Sequence, residues 1–217
     1  MRDKQGFTLM ELLVAMAMAG IVMGSVFSVY YSQQKSYVVQ EEVSGMQQNL
    51  RAALYLMAKE IRMAGCDPTG TAGAGITTAG ASSISFTLDL RGKDPDDPPD
   101  GDTGDANENI TYTLYDFGSD GDMDLGRDTG SGNSPVAENI DAINFVYLDG
   151  SGNPTASLSQ IRSVQITIVA RTGRNIRGYT DNNTYTNLQG ATIFGPAGDN
   201  VRRVRLATNV KCRNLGL

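Results

Sequence analysis

Histidine and tryptophan are both absent from this chain of 217 residues, and cysteine occurs only twice, as Cys66 and Cys212. The missing histidine removes the commonest general base of enzymes and a frequent metal ligand. Two cysteines without histidine do not form any of the usual zinc-ligand sets. No residue pattern points to catalysis by carboxylates alone. The sequence therefore predicts a protein that is not an enzyme, with no cofactor and no small-molecule substrate.

Charge of either sign is unevenly distributed along the chain, whose formal net charge is -6. Acidic residues concentrate between Asp89 and Asp128, whereas basic residues predominate from Gln160 to the C-terminus. The acidic stretch would repel phosphates, and no aromatic residues interleave with the basic ones, which argues against a nucleic-acid partner. Exposed charge that blocks extension of a sheet edge is the simpler explanation of Arg203 and Arg205.

Charge is missing altogether between Leu12 and Tyr31, behind a short polar leader, residues 1–6, that contains Arg2 and Lys4. Twenty helical residues at about 1.5 Å each span roughly 30 Å, the thickness of the hydrocarbon core of a bilayer. A secretory signal peptide would end in a small-residue cleavage site, and none follows, so we expect the segment to be retained. Positive charge in the leader predicts that the leader is cytoplasmic and that the chain after the helix is extracytoplasmic.

Glu11 is an acidic residue at the start of this apolar segment. A carboxylate at membrane depth costs about 2.5 to 3.5 kcal/mol on insertion scales, so such a residue usually has a partner and a function. A local explanation is equally open on the residues alone, because an acid in the first turn of a helix gains from the helix dipole.

The motif from Gly6 to Glu11, GFTLME, followed by the apolar run, resembles the class III signal of type IV prepilins and type II secretion pseudopilins. The resemblance implies cleavage between Gly6 and Phe7 by a membrane-embedded prepilin peptidase, and N-methylation of the new Phe7 amine. It also implies that Glu11, together with Thr8 of the same motif, acts in subunit assembly. Glu11 would neutralise the Phe7 amine of a neighbouring subunit, because a matched pair of charges in an apolar bundle costs far less than two isolated ones.

Three further segments are similar to PilW-type minor pilins: the helix end at 51–54 and 60–65, the segment 139–143, and the C-terminal segment 202–215. The resemblance implies a minor type IV pilin, a structural subunit that enters a pilus and assists its assembly in an initiation or tip complex. Implied partners are major and minor pilins contacted through the N-terminal helices, the prepilin peptidase and the pilus assembly platform. The implied location is the bacterial inner membrane and then the pilus at the cell surface.

Two other functions remain open beside this one. A minor pseudopilin of a type II secretion system would share the signal, the processing and the helix-mediated partners. A membrane-tethered calcium-binding adhesin is the less favoured alternative.

Apolar residues recur at spacings of three and four beyond the uncharged stretch, which is typical of an amphipathic helix. They are Val39, Val43, Met46, Leu50, Leu54, Met57 and Ile61. Gly65 and Pro68 then provide a stop signal. We expect one long helix over residues 7–65, with 7–31 in the membrane or filament core and 32–65 amphipathic.

Alternating apolar and polar residues after Cys66 predict at least five strands with no helical segment between them. These strands start near Ile84, Ile110, Ile140, Val164 and Val204. Residues 66–217 are therefore expected to form a globular antiparallel β-sheet domain laid on the amphipathic part of the helix. The predicted fold class is α+β, a long N-terminal transmembrane and amphipathic helix packed on a C-terminal antiparallel sheet, as in type IV pilins.

A disulfide between Cys66 and Cys212 is the favoured state of the two cysteines. Cys212 is in phase with Val204 and Leu206 on the apolar face of its strand, and Cys66 follows the helix end that this face should cover. Extracytoplasmic oxidation would permit the bond, and closing so long a loop contributes up to about 4 to 5 kcal/mol in the chain-entropy model. Two buried free thiols are the alternative.

Four aspartates stand at positions 1, 3, 5 and 9 of a calcium-loop count: Asp120, Asp122, Asp124 and Asp128. Such a loop also needs Gly at position 6 and Glu at position 12, where this chain has Leu125 and Ser131. A solvated hairpin that turns at Asp120 and Gly121 is the favoured interpretation, and calcium is the alternative. The segment 94–105, rich in proline and glycine, is interpreted as a flexible surface loop.

Overall fold

Helix α1, Leu9–Met63, is the first element of the chain and extends over 55 residues. The computed structural model describes residues 6–94 and 96–216. Most of the leader, residues 1–5, therefore lies outside the described residues. The chain divides into two compact units, Met1–Glu42 and Val43–Leu217, so the second unit includes the C-terminal part of α1.

Ten strands follow the helix in the described part of the chain. They are β1 Ile76–Ala79, β2 Ile84–Thr87, β3 Asn109–Tyr115, β4 Asp124–Asp128, β5 Asn133–Ala137, β6 Ile140–Leu148, β7 Ser163–Arg171, β8 Tyr185–Thr186, β9 Thr192–Phe194 and β10 Arg203–Lys211. A short 3-10 helix, Leu158–Gln160, precedes β7.

The strands form antiparallel sheets. Strands β1 to β5 make a five-stranded sheet in chain order, β10-β7-β6 make a three-stranded sheet, and β8 and β9 form a small hairpin. In the three-stranded sheet, Ile168 of the central strand β7 lies opposite Ile143 of β6 and Leu206 of β10. Five consecutive residues of β7, 166–170, are buried, whereas a half-buried strand would alternate, because Val169 on the second face packs in a cluster with Ala142 and Tyr185.

The hydrophobic core of the second unit forms between α1 and the sheets. Met57 and Ile61 of the helix are completely buried, as are Ile84, Phe86 and Ile166 of the strands, and all five belong to one cluster. Burying side chains of this size contributes about 1.5 to 3 kcal/mol each. The predicted apolar stripe of the helix is therefore confirmed as a packing face from Met46 onward.

The helix ends where the sequence predicts a stop. Its last residue is Met63, and Gly65 follows with φ of +77°, the left-handed conformation that favours glycine after a helix. The Gly65 amide donates to Thr87 O at 3.0 Å, and the Cys66 amide donates to Met63 O at 2.9 Å. The first bond joins the helix end to the end of β2, and the second closes the last turn of the helix.

All five predicted strands are present, as β2, β3, β6, β7 and β10. The α+β class, with a long N-terminal helix on antiparallel sheet, is confirmed. The first predicted strand is shorter than expected, because β2 ends at Thr87. Leu88 is still buried, and its amide donates to Glu108 O at 2.9 Å.

Candidate functional site

The start of helix α1 is closed by a reciprocal pair of hydrogen bonds between Thr8 and Glu11. The Glu11 amide donates to Thr8 Oγ1 at 3.2 Å, and the Thr8 amide donates to Glu11 Oε2 at 2.9 Å. The Thr8 hydroxyl also donates to Glu11 Oε2, at 2.9 Å. This is a capping box, in which two side chains satisfy amides that the first turn leaves without helical partners. Thr8 and Glu11, both predicted as assembly residues, are thus brought together.

Glu11 keeps acceptor capacity after it has capped the helix. Both of its capping bonds use Oε2. Among the described residues, Oε1 accepts no hydrogen bond, and the side chain is exposed. A carboxylate oxygen can accept more than one donor, so Glu11 can hold its own helix start and bind an external cation at the same time.

Large apolar side chains are exposed along the described part of the first unit, from Phe7 to Val38. Phe7 is 90% exposed, Ile21 and Met23 are 72% exposed, and Phe27 is 70% exposed. By length and composition, α1 is a helix that could cross a membrane. A continuous exposed surface of this kind is expected to contact lipid or other apolar helices.

Gly6 and Phe7 lie before the first helical residue and are both exposed. The peptide bond predicted to be cut therefore lies in non-helical backbone next to the capped helix. Such a position is accessible to a peptidase.

Cys66 and Cys212 are free thiols in the structure, so the predicted disulfide is not confirmed. Cys212 is buried in the main core, and burial raises the pKa of its thiol to about 11. Burial, with the carboxylates of Asp89 and Asp67, also raises the pKa of Cys66. Because the thiolate is the reactive form, both shifts slow oxidation.

The four aspartates of the predicted calcium loop do not meet as one ligand set within the described residues. Asp124 and Asp128 lie at opposite ends of β4, and an extended strand separates residues four apart by roughly 13 Å. Asp120 and Asp122 lie in the turn before it. The turn itself agrees with the favoured interpretation, because β3 and β4 pair as an antiparallel hairpin around Asp120 and Gly121.

Each of the four carboxylates has a separate local role. Asp124 is buried and accepts the amides of Phe117 at 3.1 Å and Asn139 at 3.0 Å. Asp128 Oδ1 accepts two glycine amides of the following turn, at 2.7 Å and 3.0 Å. Asp122 forms an ion pair with Arg171, and Asp120 Oδ1 accepts the amide of residue 122 at 3.0 Å.

Arg203 is buried, which corrects its interpretation as exposed edge charge. Its side chain is 3% exposed and binds Asp141 at 2.5 Å, Asp181 at 3.0 Å and Asp199 at 2.6 Å. Its guanidinium also lies over the ring of Phe194. The alternation of β10 does not reveal this, because the partners come from strand β6 and the loops on either side of the β8-β9 hairpin. Arg205, by contrast, is exposed as expected.

A second charge cluster, which is partly buried, was not predicted from the sequence. Glu60 of α1 accepts the hydroxyl of Tyr112 at 2.5 Å and pairs with Arg127 at 2.9 Å. Burial and the Glu60 carboxylate raise the pKa of Tyr112, so it remains a donor. The cluster fixes α1 to strands β3 and β4. A weak signal exists in the sequence, since Glu60 lies next to Ile61 in the apolar stripe.

Comparison with known proteins is informative for the N-terminus and for the fold. The family model of the prokaryotic N-terminal methylation motif matches residues 1–27. Among solved structures, a type IV-like pilin from Thermus thermophilus matches with a TM-score of 0.50 and 13% identity, covering 78% of this chain and 98% of the pilin. No curated protein sequence matches the chain. The chain thus carries a prokaryotic N-terminal methylation motif, and its fold is similar to that of a type IV-like pilin.

Proposed function

We propose that the chain is a minor type IV pilin of the PilW type. A prepilin peptidase cleaves it between Gly6 and Phe7, and the Phe7 amine is then methylated. Residues 7–31 hold it in the bacterial inner membrane, with the later domain outside the cytoplasm. The assembly platform then moves it into a pilus beside major and minor pilins, where it assists initiation or occupies the tip. The role is structural.

The observation that supports this proposal most is the isolated charge of Glu11 on an exposed apolar helix. From Phe7 to Gln34 the sequence has no charged residue except Glu11, and the large apolar side chains around it are exposed. An unpaired carboxylate in an apolar bundle costs several kcal/mol, on the order of the penalty for burying any single ion. Pairing with the Phe7 amine of the next subunit removes most of that cost, and only in one axial register.

The capping box places a second requirement on Glu11. While its carboxylate pairs with a neighbouring subunit, it must also keep the first turn of its own helix hydrogen-bonded. Glu11 Oε2 holds the Thr8 amide and hydroxyl, and Oε1 remains for the amine. The same residue therefore fixes where the helix begins and where the neighbouring subunit must lie.

Glu11→Gln separates these two roles, since glutamine can also act at the third position of a capping box but has no charge. We expect Glu11→Gln to be cleaved like the wild type and to be depleted at least about tenfold from sheared filaments, because one lost ion pair of about 1.4 kcal/mol already changes an equilibrium tenfold. Immunoblots of sheared pili and of membranes measure both quantities.

Glu41→Gln is the matched control, because Glu41 is exposed on the same helix. It should enter filaments at wild-type levels. Normal incorporation of Glu11→Gln would disprove the pairing role.

A minor pseudopilin of type II secretion is the alternative, and it differs in the machine that the subunit serves. Deletion of the gene separates the two. Loss of surface pili with normal secretion supports the pilus assignment. Loss of secreted proteins from the medium with intact pili would assign the chain to the secretion system.

A further inference from the structure

The segment between β2 and β3 brings three carboxylates together. Oxygen atoms of Asp100, Asp102 and Asp105 lie within 4.8 Å of one another. Calcium binds oxygen ligands at about 2.3 to 2.6 Å, so oxygens up to roughly 5 Å apart can share one ion. The three carboxylates are thus close enough for a single cation to bind between them.

A buried carboxylate with an unpaired oxygen lies directly against this segment. Asp89 is completely buried, and its Oδ2 accepts the amide of Gly101 at 3.2 Å and the hydroxyl of Thr69 at 3.1 Å. Within the described residues, Asp89 Oδ1 is buried and has no hydrogen-bond partner. Asp105 Oδ2 is likewise a buried oxygen that has no hydrogen-bond partner among the described residues. Buried oxygens of charged groups are costly when unpaired, and a cation would offset that cost.

The loop is held in place by contacts that do not use these oxygens. Gly101 packs against Thr71 so closely, with φ of +91°, that a side chain there would overlap the Thr71 hydroxyl. The buried Glu108 accepts the amides of Leu90 at 2.7 Å and Arg91 at 3.1 Å. The backbone under the carboxylates is therefore fixed by its surroundings.

Among the described residues, no ion pair is formed by Asp100, Asp102 or Asp105. The Nη2 of Arg91 donates to the carbonyl of Ala106 at 2.6 Å. Carboxylates held within 4.8 Å of one another repel, and they gain when a cation binds between them.

We propose that the loop 100–105 binds one calcium ion through the carboxylates of Asp100, Asp102 and Asp105, next to the buried Asp89. Zinc favours nitrogen and sulfur ligands, so a site made only of oxygen ligands does not select zinc. Asp100 and Asp102 are exposed, so water can complete the irregular coordination that calcium accepts and magnesium does not. The ion would tie the loop to the end of β2.

Calorimetric titration of the full chain in detergent micelles tests the site. The protein is stripped with chelator and titrated with CaCl2, and separately with MgCl2. We expect one calcium per chain with a Kd on the order of 10⁻⁴ M, as in extracytoplasmic calcium modules, and much weaker binding of magnesium. Calcium should also raise the thermal midpoint of the wild type.

Asp102→Asn with Asp105→Asn is the site variant, and Asp120→Asn with Asp128→Asn is the control. Both pairs lose two negative charges, so non-specific attraction is matched. The site variant should bind calcium more than about tenfold more weakly, whereas the control should bind within about twofold of the wild type, since affinity follows the charge of the ligands. The single variant Asp102→Asn changes an exposed side chain and tests the site if the double variant misfolds.

A wild type that binds no calcium overturns the proposal. Equal loss of affinity in the site variant and in the control also overturns it, because binding would then follow net charge and not this loop.

Discussion

Arg203 illustrates how a buried cation is stabilised by neighbours far apart in the sequence. Its guanidinium binds Asp141, Asp181 and Asp199. Hydrogen bonds from Arg203 hold the pKa of Asp199 below its ordinary value, and they do the same for Asp181 against the opposing effect of burial. For Asp141, burial outweighs Arg203 and raises the pKa. The cluster therefore stabilises the charged forms of Asp181 and Asp199, whereas burial destabilises the charged form of Asp141.

Asp181 gives a prediction for pH dependence at the residue scale. Because the folded-state pKa of Asp181 is lowered, its contribution to stability is complete above the unfolded value of about 3.9 and is lost as pH falls through the folded value. We expect Asp181→Asn to cost about 2 kcal/mol at neutral pH, the typical loss of hydrogen bonds to a charged group. The difference from the wild type should shrink as pH falls from about 5 towards 2.

Thermal midpoints of the two proteins, measured by circular dichroism between these pH values, check this expectation. Comparing the two proteins cancels the titration of their shared carboxylates. Asp120→Asn, at an exposed position, should show no such pH-dependent difference. If the difference in thermal midpoint between Asp181→Asn and the wild type stayed constant down to the lowest pH, the role of the Asp181 charge would be contradicted.

At the scale of elements, the two faces of α1 make opposite predictions. Met57 is completely buried, whereas Tyr55, two residues away, is 74% exposed. Met57→Ala should destabilise the second unit by about 2 to 5 kcal/mol, because it removes buried methylene groups and leaves a cavity. Tyr55→Ala should change stability by less than about 0.5 kcal/mol.

Urea unfolding of the full chain in detergent, followed by near-ultraviolet circular dichroism, measures both changes. Similar destabilisation by the two variants would mean that the helix face is assigned wrongly.

Elements with a regular hydrophobic period were predictable from the sequence, and the others were not. The stripe of α1 and the alternation of β6 and β7 follow from which side chains must be buried. Strand β4 contains Gly126 between Leu125 and Arg127, and β5 contains Pro135. Both lack an apolar period, since they are held by strand pairing and by ions such as Arg127.

The candidate sites also differ in how far they could be predicted from the sequence. Thr8 and Glu11 are three residues apart, so a local motif places them together, and the structure adds the bonds between them. The proline and glycine content of the segment 94–105 predicted a flexible loop, and it does not reveal that the Gly101 amide donates to Asp89, twelve residues away in the sequence. Spacing alone assigned the calcium alternative to Asp120, Asp122, Asp124 and Asp128, and it does not show that an extended strand keeps Asp124 and Asp128 apart.

At the scale of the whole molecule, the two units have opposite solvent preferences. The first unit exposes apolar side chains along α1, whereas the second buries its apolar side chains and exposes many acids. A chain of this composition needs lipid or partner helices for one part and water for the other. Processing at the N-terminus is the step that would let the first unit exchange lipid for partner helices.

Mass spectrometry of the intact chain from a host with a prepilin peptidase tests that step. The mature protein should have the mass of residues 7–217 plus one methyl group, because cleavage exposes the Phe7 amine. Gly6→Val should keep the leader, since Gly6 and Phe7 form an exposed, non-helical cleavage segment that a branched side chain obstructs. Gly20→Ala, where an added methyl group meets open space, should be processed normally. A wild-type chain that keeps Met1 in the membrane and in filaments would contradict the prepilin assignment, since no free Phe7 amine would exist for Glu11 to bind.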